Sequence, residues 1–362
     1  MAAASLVALF QFPAEFILPR ARRAPTRPQA VLNNKTDIQQ RMLVPYELQR
    51  GQSRVFHQLP SGLNLEVIEQ KRSFGTDDND SNGAQIENPP LVFVHGSYHA
   101  AWCWAEHWLP FFASSGFDCY ALSLLGQGES DAPGGSVAGT LQTHAGDVAD
   151  FIQKNIKVPP VILGHSFGGL IIQYYLANTR IGKSSDTKQL YPQLAGAVLI
   201  CSVPPSGNSG LVWRYLFSKP LAAFKVTRSL AAKAFQTDLS LCKETFFSPM
   251  MEDNIVKRYQ ELLKESSQMP LFDLRKLNAS LPVPAPPEKS SSANVLVLGA
   301  SGDFIVVNNK YLNIAIIPPP LPFPCDFVIP CVCALLPRLF CPIVAVCLSS
   351  RIELLLGWSR TQ

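Results

Sequence analysis

Residues 161–172 read VILGHSFGGLII. Two short aliphatic runs in this stretch enclose a motif of the form G-x-S-x-G, and such runs are typical of elements buried within a parallel α/β fold. Where a buried strand leads through this motif into a helix, the backbone turns so sharply that a Cβ atom at either glycine would clash. The motif residues are Gly164, His165, Ser166, Phe167 and Gly168. The stretch predicts a strand, a sharp turn that exposes the serine, and a helix; the alternative is an ordinary turn.

A second loop follows another apolar run, LVFV at residues 91–94, and reads His95-Gly96-Ser97-Tyr98. Two backbone amides aimed at a developing alkoxide form an oxyanion hole, and one of them commonly comes from a loop of this kind. We expect the N–H groups of Ser97 and Phe167 to have this role. His95 is predicted to pack within the turn and not to act as a base.

Strand-like and helix-like segments alternate on both sides of these two loops. The predicted strands are residues 52–58, 62–69, 91–94, 118–122, 161–163, 194–201 and 294–299. The predicted helices are residues 140–156 and 169–178, and a polar surface loop is predicted at 76–88. Alternation of this kind is typical of βαβ units. The predicted fold class is therefore α/β, with a mostly parallel sheet and flanking helices.

Charge is unevenly distributed along the chain. Residues 1–45 carry six Lys or Arg and two acidic residues, which accounts for the whole formal net charge of +4. A neutral body argues against a nucleic-acid groove. The basic segment follows an apolar patch, as in an organelle transit peptide. We predict a chloroplast address, with the mitochondrion as an alternative and an extension without targeting function as another. Four scattered cysteines before residue 307 indicate buried thiols in a reducing compartment.

Three separated motifs, residues 94–104, GQGES at 126–130 and the serine turn, together resemble the α/β-hydrolase superfamily, within it the plant-type esterases and lipase-like members. The resemblance assigns residues 46–306 to one α/β-hydrolase domain, with a helical cap insertion at about 204–292. It implies an eight-stranded sheet and a serine nucleophile, Ser166, that attacks a small or lipophilic carboxylic ester. It also implies Asp303 as the acid of a Ser, acid, His triad. It implies no cofactor and no metal.

The histidine of that triad is missing from the sequence, because all six histidines lie at or before His165. His99 and His107 are poor substitutes, since a base must reach both the serine and the acid. Two functional hypotheses remain: a serine hydrolase with impaired turnover, and a non-catalytic ligand-binding or interaction protein of the same fold. A third possibility is a chain that does not fold stably.

The last part of the chain, residues 307–362, is rich in proline and contains five of the nine cysteines. We interpret this segment as the result of a reading frame that departs from the family's sequence after Val306, as a retained intron or a gene-model error would produce. Such a change replaces the last strand, the histidine and the closing helix. The favoured reading is a disordered appendage. A membrane span is disfavoured by three prolines and an arginine, and a metal site through Cys331 and Cys333 by their spacing.

Overall fold

The computed structural model describes residues 41–73, 88–179, 191–207, 220–284 and 294–299, Phe217, and the backbone of residues 315–316. These residues all belong to one unit of the chain, which begins at Gln40. The predicted loop at 76–88 lies outside the described residues except for Asn88, and so does Asp303. Residues 1–40 also lie outside them.

The described strands form one eight-stranded sheet in the order β1-β2-β4-β3-β5-β6-β7-β8. In chain order they are β1 (Gln52–Gln58), β2 (Asn64–Gln70), β3 (Leu91–Val94), β4 (Cys119–Leu122), β5 (Val161–His165), β6 (Gly196–Ile200), β7 (Asn294–Gly299) and β8 (Ala315–Ile316). Only the pairings of β1 with β2 and of β2 with β4 are antiparallel, and the others are parallel. The predicted α/β class and the mostly parallel sheet are confirmed.

Helices cover both faces of the sheet. They are α1 (Trp102–Ala105), α2 (Trp108–Ser114), α3 (Leu141–Asn155), α4 (Phe167–Ala177), α5 (Pro220–Ala231), α6 (Leu239–Phe246), α7 (Asp253–Ser266) and α8 (Leu274–Ala279). Helix α3 begins where its sequence predicts, because Thr140 and Thr143 form reciprocal capping hydrogen bonds. None of the described helices is long and apolar enough to cross a membrane.

Alternate residues of the central strands pack on opposite faces of the sheet, as the two-residue repeat of a strand requires. In β3, Leu91 and Phe93 belong to one apolar cluster, whereas Val92 and Val94 belong to another. All four side chains are fully buried. The continuous apolar run that predicted this strand therefore reflects burial on both faces.

The cap packs on the first of these clusters through aromatic rings in and next to α6 and α7. Phe247 stacks on Tyr259 with ring centroids 5.7 Å apart, Tyr259 stacks on Trp102 at 5.9 Å, and Trp102 stacks on His99 at 5.8 Å. We call these four rings the aromatic stack. It connects the cap with the loop that follows β3.

Two contacts lie outside the predicted bounds of the domain. Before residue 46, Met42 is buried among core side chains, and Glu129 accepts the backbone N–H groups of Arg41 and Met42. The sheet also continues beyond Val306: Ala315 pairs with Leu298 of β7. The expectation that this part of the chain supplies no strand is therefore wrong at residues 315–316. Both differences arise from contacts between residues far apart in the sequence.

Candidate active site

Ser166 lies at the junction between β5 and α4, with φ 53° and ψ −119°. A non-glycine residue in this region of backbone space costs about 1–3 kcal/mol and persists only when its surroundings hold it there. The Ser166 N–H donates to Ile200 O at 3.1 Å, and Ser166 O accepts from the N–H groups of Gly169 and Val203, each at 3.1 Å. These contacts fix the serine at the carboxyl end of the parallel strands.

The glycines of the turn are required by close backbone contacts. A Cβ atom on Gly168 would lie 2.5 Å from Val94 O and 2.6 Å from His95 O. A Cβ atom on Gly164 would lie 2.7 Å from the carbonyl atoms of Gly168. The start of α4 therefore packs directly beneath the end of β3, as the motif predicts.

The loop after β3 passes close to Ser166. A Cβ atom on Gly96 would lie 2.9 Å from Ser166 Cβ and 3.2 Å from His165 Nδ1. The peptide between Gly96 and Ser97 is therefore beside the serine. The structure brings together five residues selected from the sequence: the serine, the adjoining elbow residues His165 and Phe167, and the loop residues Gly96 and Ser97.

His95 holds this peptide in place. The ring is fully buried, its Nε2 accepts the Leu124 N–H at 3.0 Å, and its Nδ1 donates to Gly96 O at 2.7 Å. Since N–H and C=O of a trans peptide point in opposite directions, this bond also orients the Ser97 N–H. Burial lowers the pKa of His95 to about 3, and both ring nitrogens are occupied. The packing role predicted for His95 agrees with these contacts.

The next two residues connect the loop with the cap. Tyr98 has φ 66°, and its hydroxyl donates to Leu230 O of α5 at 2.9 Å. His99 Nδ1 donates to Ser97 O at 2.8 Å, and burial lowers the pKa of His99 to about 4. Sequence reasoning missed these contacts. The signal available was the run H-G-S-Y-H at residues 95–99, in which two histidines flank the loop.

No described histidine occupies the position of a triad base. In the part of the chain that the structure describes, no histidine nitrogen is hydrogen-bonded to Ser166 Oγ. His57, on the outer strand β1, pairs with Asp150 of α3, and His144 contacts Leu271 O. His107 is exposed at the start of α2. His165 adjoins the serine, but burial and the neighbouring His99 and His95 lower its pKa to about 3, so it is neutral at pH 7.

The acid proposed from the sequence, Asp303, cannot be located because it lies outside the described residues. The segment after β6 supplies no acid: Ser202 Oγ accepts a hydrogen bond from Gln173 Nε2 at 2.9 Å. Among the described residues, no group of three His, Cys, Asp or Glu side chains is arranged to hold a metal ion. The described site thus consists of a serine, two candidate amide donors and buried neutral histidines.

Comparison with known proteins gives a consistent result. A model described as the alpha/beta hydrolase family matches residues 91–330, which is more than half of the chain and extends past Val306. A non-heme chloroperoxidase from Streptomyces lividans is 34% identical over 116 residues, covering 32% of this chain and 37% of that protein. Protein phosphatase methylesterase 1 from Mus musculus is 26% identical over 155 residues, covering 41% and 38%.

The chain thus spans less than two fifths of the length of these curated relatives. Among solved structures, an esterase from Exiguobacterium antarcticum aligns with a TM-score of 0.47 at 18% identity, covering 69% of this chain and 82% of that one.

Proposed function

Since this chain belongs to the alpha/beta hydrolase family, we propose that it hydrolyses carboxylic esters through an acyl-enzyme formed on Ser166. The observation that carries this proposal is the backbone of Ser166. Its φ of 53° places the hydroxyl at the carboxyl end of the sheet, and Gly96 brings the loop after β3 against it. A strained serine beside a closely packed loop supports nucleophilic chemistry better than a structural turn.

In this mechanism, Ser166 Oγ attacks the ester carbonyl carbon, and the N–H groups of Ser97 and Phe167 stabilise the oxyanion. The alcohol leaves, the acyl group remains on Oγ, and water then releases the acid. His95 supports the Ser97 amide by holding the adjoining carbonyl. Asp303 would orient a base, as the family pattern implies.

We propose that the missing triad histidine limits the rate. Because no histidine follows Asp303, solvent would take the serine proton and would return a proton to the leaving alcohol. Loss of a triad member commonly lowers kcat by about 10⁴-fold or more, while an intact oxyanion hole retains part of the acceleration. We therefore propose slow turnover of activated esters. Because one group of relatives is named for methylesterase activity, methyl esters are the first natural class to examine.

The test is chemical rescue. Imidazole added to the purified chain supplies a general base in solution, and general-base catalysis contributes about 10²–10⁴-fold in an intact site. We expect imidazole to raise nitrophenyl acetate hydrolysis by at least about tenfold over the imidazole background. Ser166→Ala should abolish this increase. Ser53→Ala, on the exposed side of β1, is the matched control and should retain it.

A second candidate function follows from the same missing base: a non-catalytic protein that binds small esters or acids in the cleft. An imidazole effect that is equal in the native chain and in Ser166→Ala would contradict the esterase proposal. Ligand-dependent thermal stabilisation together with that result would support the binding protein.

We also propose that residues 1–45 direct the protein to the chloroplast, with the mitochondrion as the alternative destination. The proposal rests on the basic composition of this segment, which has six Lys or Arg against two acids. A fluorescent protein fused after residue 50 is expected in chloroplasts. Fluorescence that stays in the cytosol would contradict it.

A further inference from the structure

Lys233, just beyond the end of the cap helix α5, is a half-buried cation without an acidic partner. Its Nζ lies 3.5 Å from Ser267 O, which is a long separation for a hydrogen bond from an ammonium group. Among the described residues, no aspartate or glutamate pairs with Lys233. Burial lowers the pKa of Lys233 below its ordinary value. The ammonium group therefore loses hydration and gains no ionic contact from the described part of the chain.

The backbone of Lys233 is fixed in a strained conformation. Its φ of 51° and ψ of 30° lie in the left-handed region, where residues other than glycine, asparagine and aspartate are uncommon. The Lys233 N–H donates to Leu230 O at 3.3 Å, and Lys233 O accepts the Gln236 N–H at 3.0 Å. Strain of this kind persists only where the surroundings hold it, and it is frequent in residues that clamp ligands. A lysine side chain is thus presented from a position where glycine would be less strained.

One carbonyl group connects Lys233 with the loop beside the serine. Leu230 O accepts both the Lys233 N–H and the Tyr98 hydroxyl, the latter at 2.9 Å. Tyr98 follows Ser97, whose N–H is one of the two proposed oxyanion donors. The half-buried Tyr98 ring, which packs against Phe235 with centroids 5.1 Å apart, lies between them. The path from Ser97 to Lys233 is therefore an aromatic surface that ends at a cation.

The ammonium group lies where the cap meets the sheet. Its acceptor Ser267 pairs with Gln127 in an antiparallel bridge. Gln127 belongs to the segment that follows β4, which runs parallel to β3 and, through β3, to β5. The carboxyl ends of these strands share one edge of the sheet, and ligands of open α/β sheets bind outside this edge. Lys233 and Ser166 therefore lie on the same side of the domain.

We propose that Lys233 binds an anionic group at the far end of the substrate, and that the preferred substrates are esters of apolar acids that carry a second carboxylate. The ester would lie at Ser166, the apolar chain along the Tyr98 ring, and the carboxylate at Lys233. A carboxylate there supplies the ionic contact that Lys233 lacks and forms a charge-assisted hydrogen bond. This inference names the substrate class of the proposed esterase and rests on that function.

The first test compares two esters in the presence of imidazole. One is 4-nitrophenyl hydrogen suberate, which ends in a carboxylate, and the other is the methyl ester of the same compound. We expect kcat/KM to be at least about tenfold higher for the acid, as a hydrogen bond between charged groups allows. Lys233→Met should remove this preference, whereas Lys233→Arg, which keeps the charge, should retain most of it. Equal values for the two esters in the native chain would overturn the proposal and leave the esterase activity standing.

The matched control is Lys225→Met. Lys225 is an exposed lysine of α5, and its Nζ pairs with Glu244 Oε2 at 3.0 Å. This variant should keep the preference for the acid. An equal loss of preference in Lys225→Met and in Lys233→Met would indicate a general effect of surface charge and would contradict a site at Lys233.

The second test does not depend on turnover. Calorimetry with Ser166→Ala measures the dissociation constants of monomethyl suberate and dimethyl suberate. We expect the additional substitution Lys233→Met to weaken binding of monomethyl suberate at least about tenfold and to leave binding of dimethyl suberate unchanged. Equal binding of the half-ester with and without Lys233, or no binding, would overturn the proposal. Binding that depends on Lys233 in a chain without hydrolysis would support the anion site and contradict the esterase.

Discussion

At the residue scale, Gly96 is a position where the loop after β3 lies directly against Ser166. Gly96→Ala would place a methyl group 2.9 Å from Ser166 Cβ and 3.2 Å from His165 O, so the loop must shift. Forced shifts in a packed site cost about 1–3 kcal/mol. We expect the substitution to lower the thermal midpoint and to reduce imidazole-dependent hydrolysis at least about tenfold, since the Ser97 amide moves from the oxyanion position.

The matched control for this prediction is Gly134→Ala, because a Cβ atom there meets nothing within 4 Å. It should leave both the midpoint and the hydrolysis rate unchanged. Equal behaviour of the two alanine variants would show that Gly96 does not set the loop position.

Much of the site at this scale could be predicted from the sequence, because Gly164, Ser166 and Gly168 lie in one short motif that fixes its own geometry. The contact between Gly96 and Ser166 could only be inferred by joining two motifs through the parallel order of β3 and β5. The left-handed backbone of Tyr98 could not be predicted, since a tyrosine carries no signal for positive φ.

At the element scale, α1 and α7 are joined by a buried hydrogen bond from Trp102 Nε1 to Ser266 Oγ at 2.6 Å. Ser266→Ala leaves the indole N–H buried without this acceptor, which costs about 1–3 kcal/mol. We expect a corresponding fall in the free energy of unfolding in urea. Ser280→Ala removes a hydroxyl at the exposed end of α8, where water can replace its hydrogen bond to Leu277 O, and should change the free energy of unfolding little. Similar losses in both variants would contradict a role for the buried bond.

The helices on the sheet were more predictable than those of the cap. Helix α3 follows from its amphipathic pattern and its threonine cap, and its observed bounds differ from the predicted ones by one residue at each end. Helix α4 begins at Phe167 and not at residue 169, because it starts directly after the strained serine. The arrangement of α5–α7 depends on ring contacts such as Phe247 with Tyr259, which no local pattern encodes.

At the scale of the whole molecule, four histidines determine how stability depends on pH. Burial lowers the pKa values of His95 and His165 to about 3 and those of His99 and His144 to about 4. The unfolded chain, with ordinary values near 6.5, binds these four protons first as the pH falls, so stability decreases. Asp147 acts in the opposite direction, because burial and Asp150 raise its pKa to about 7.

Four histidines against one carboxyl group give a net uptake of three protons on unfolding, or a loss of about 4 kcal/mol per pH unit below pH 6.5. Urea unfolding between pH 6.5 and pH 5 measures this slope. His144→Phe removes one of the groups that take up a proton on unfolding. The slope of the free energy of unfolding against pH should therefore become shallower by about 1.4 kcal/mol per pH unit. An unchanged slope in this variant would contradict the neutral state of His144.

The overall architecture was predictable because βαβ alternation and short buried apolar runs are compatible with only a few sheet topologies. The contact of Arg41 with Glu129 was not predictable, because it joins residues 88 positions apart in the sequence. The strand β8 was not predicted, although residues 311–317 read YLNIAII, a run rich in the β-branched residues that strands favour.

The aromatic stack has a consequence for the motions of the protein. A cap that opened as a separate body would exchange its amide hydrogens with solvent at a lower free energy than the sheet. Because Tyr259 of α7 and His99 are joined through Trp102, opening of the cap must also disrupt the loop beside Ser166. Amides of α7 and of residues 97–101 are therefore expected to exchange in a single cooperative event.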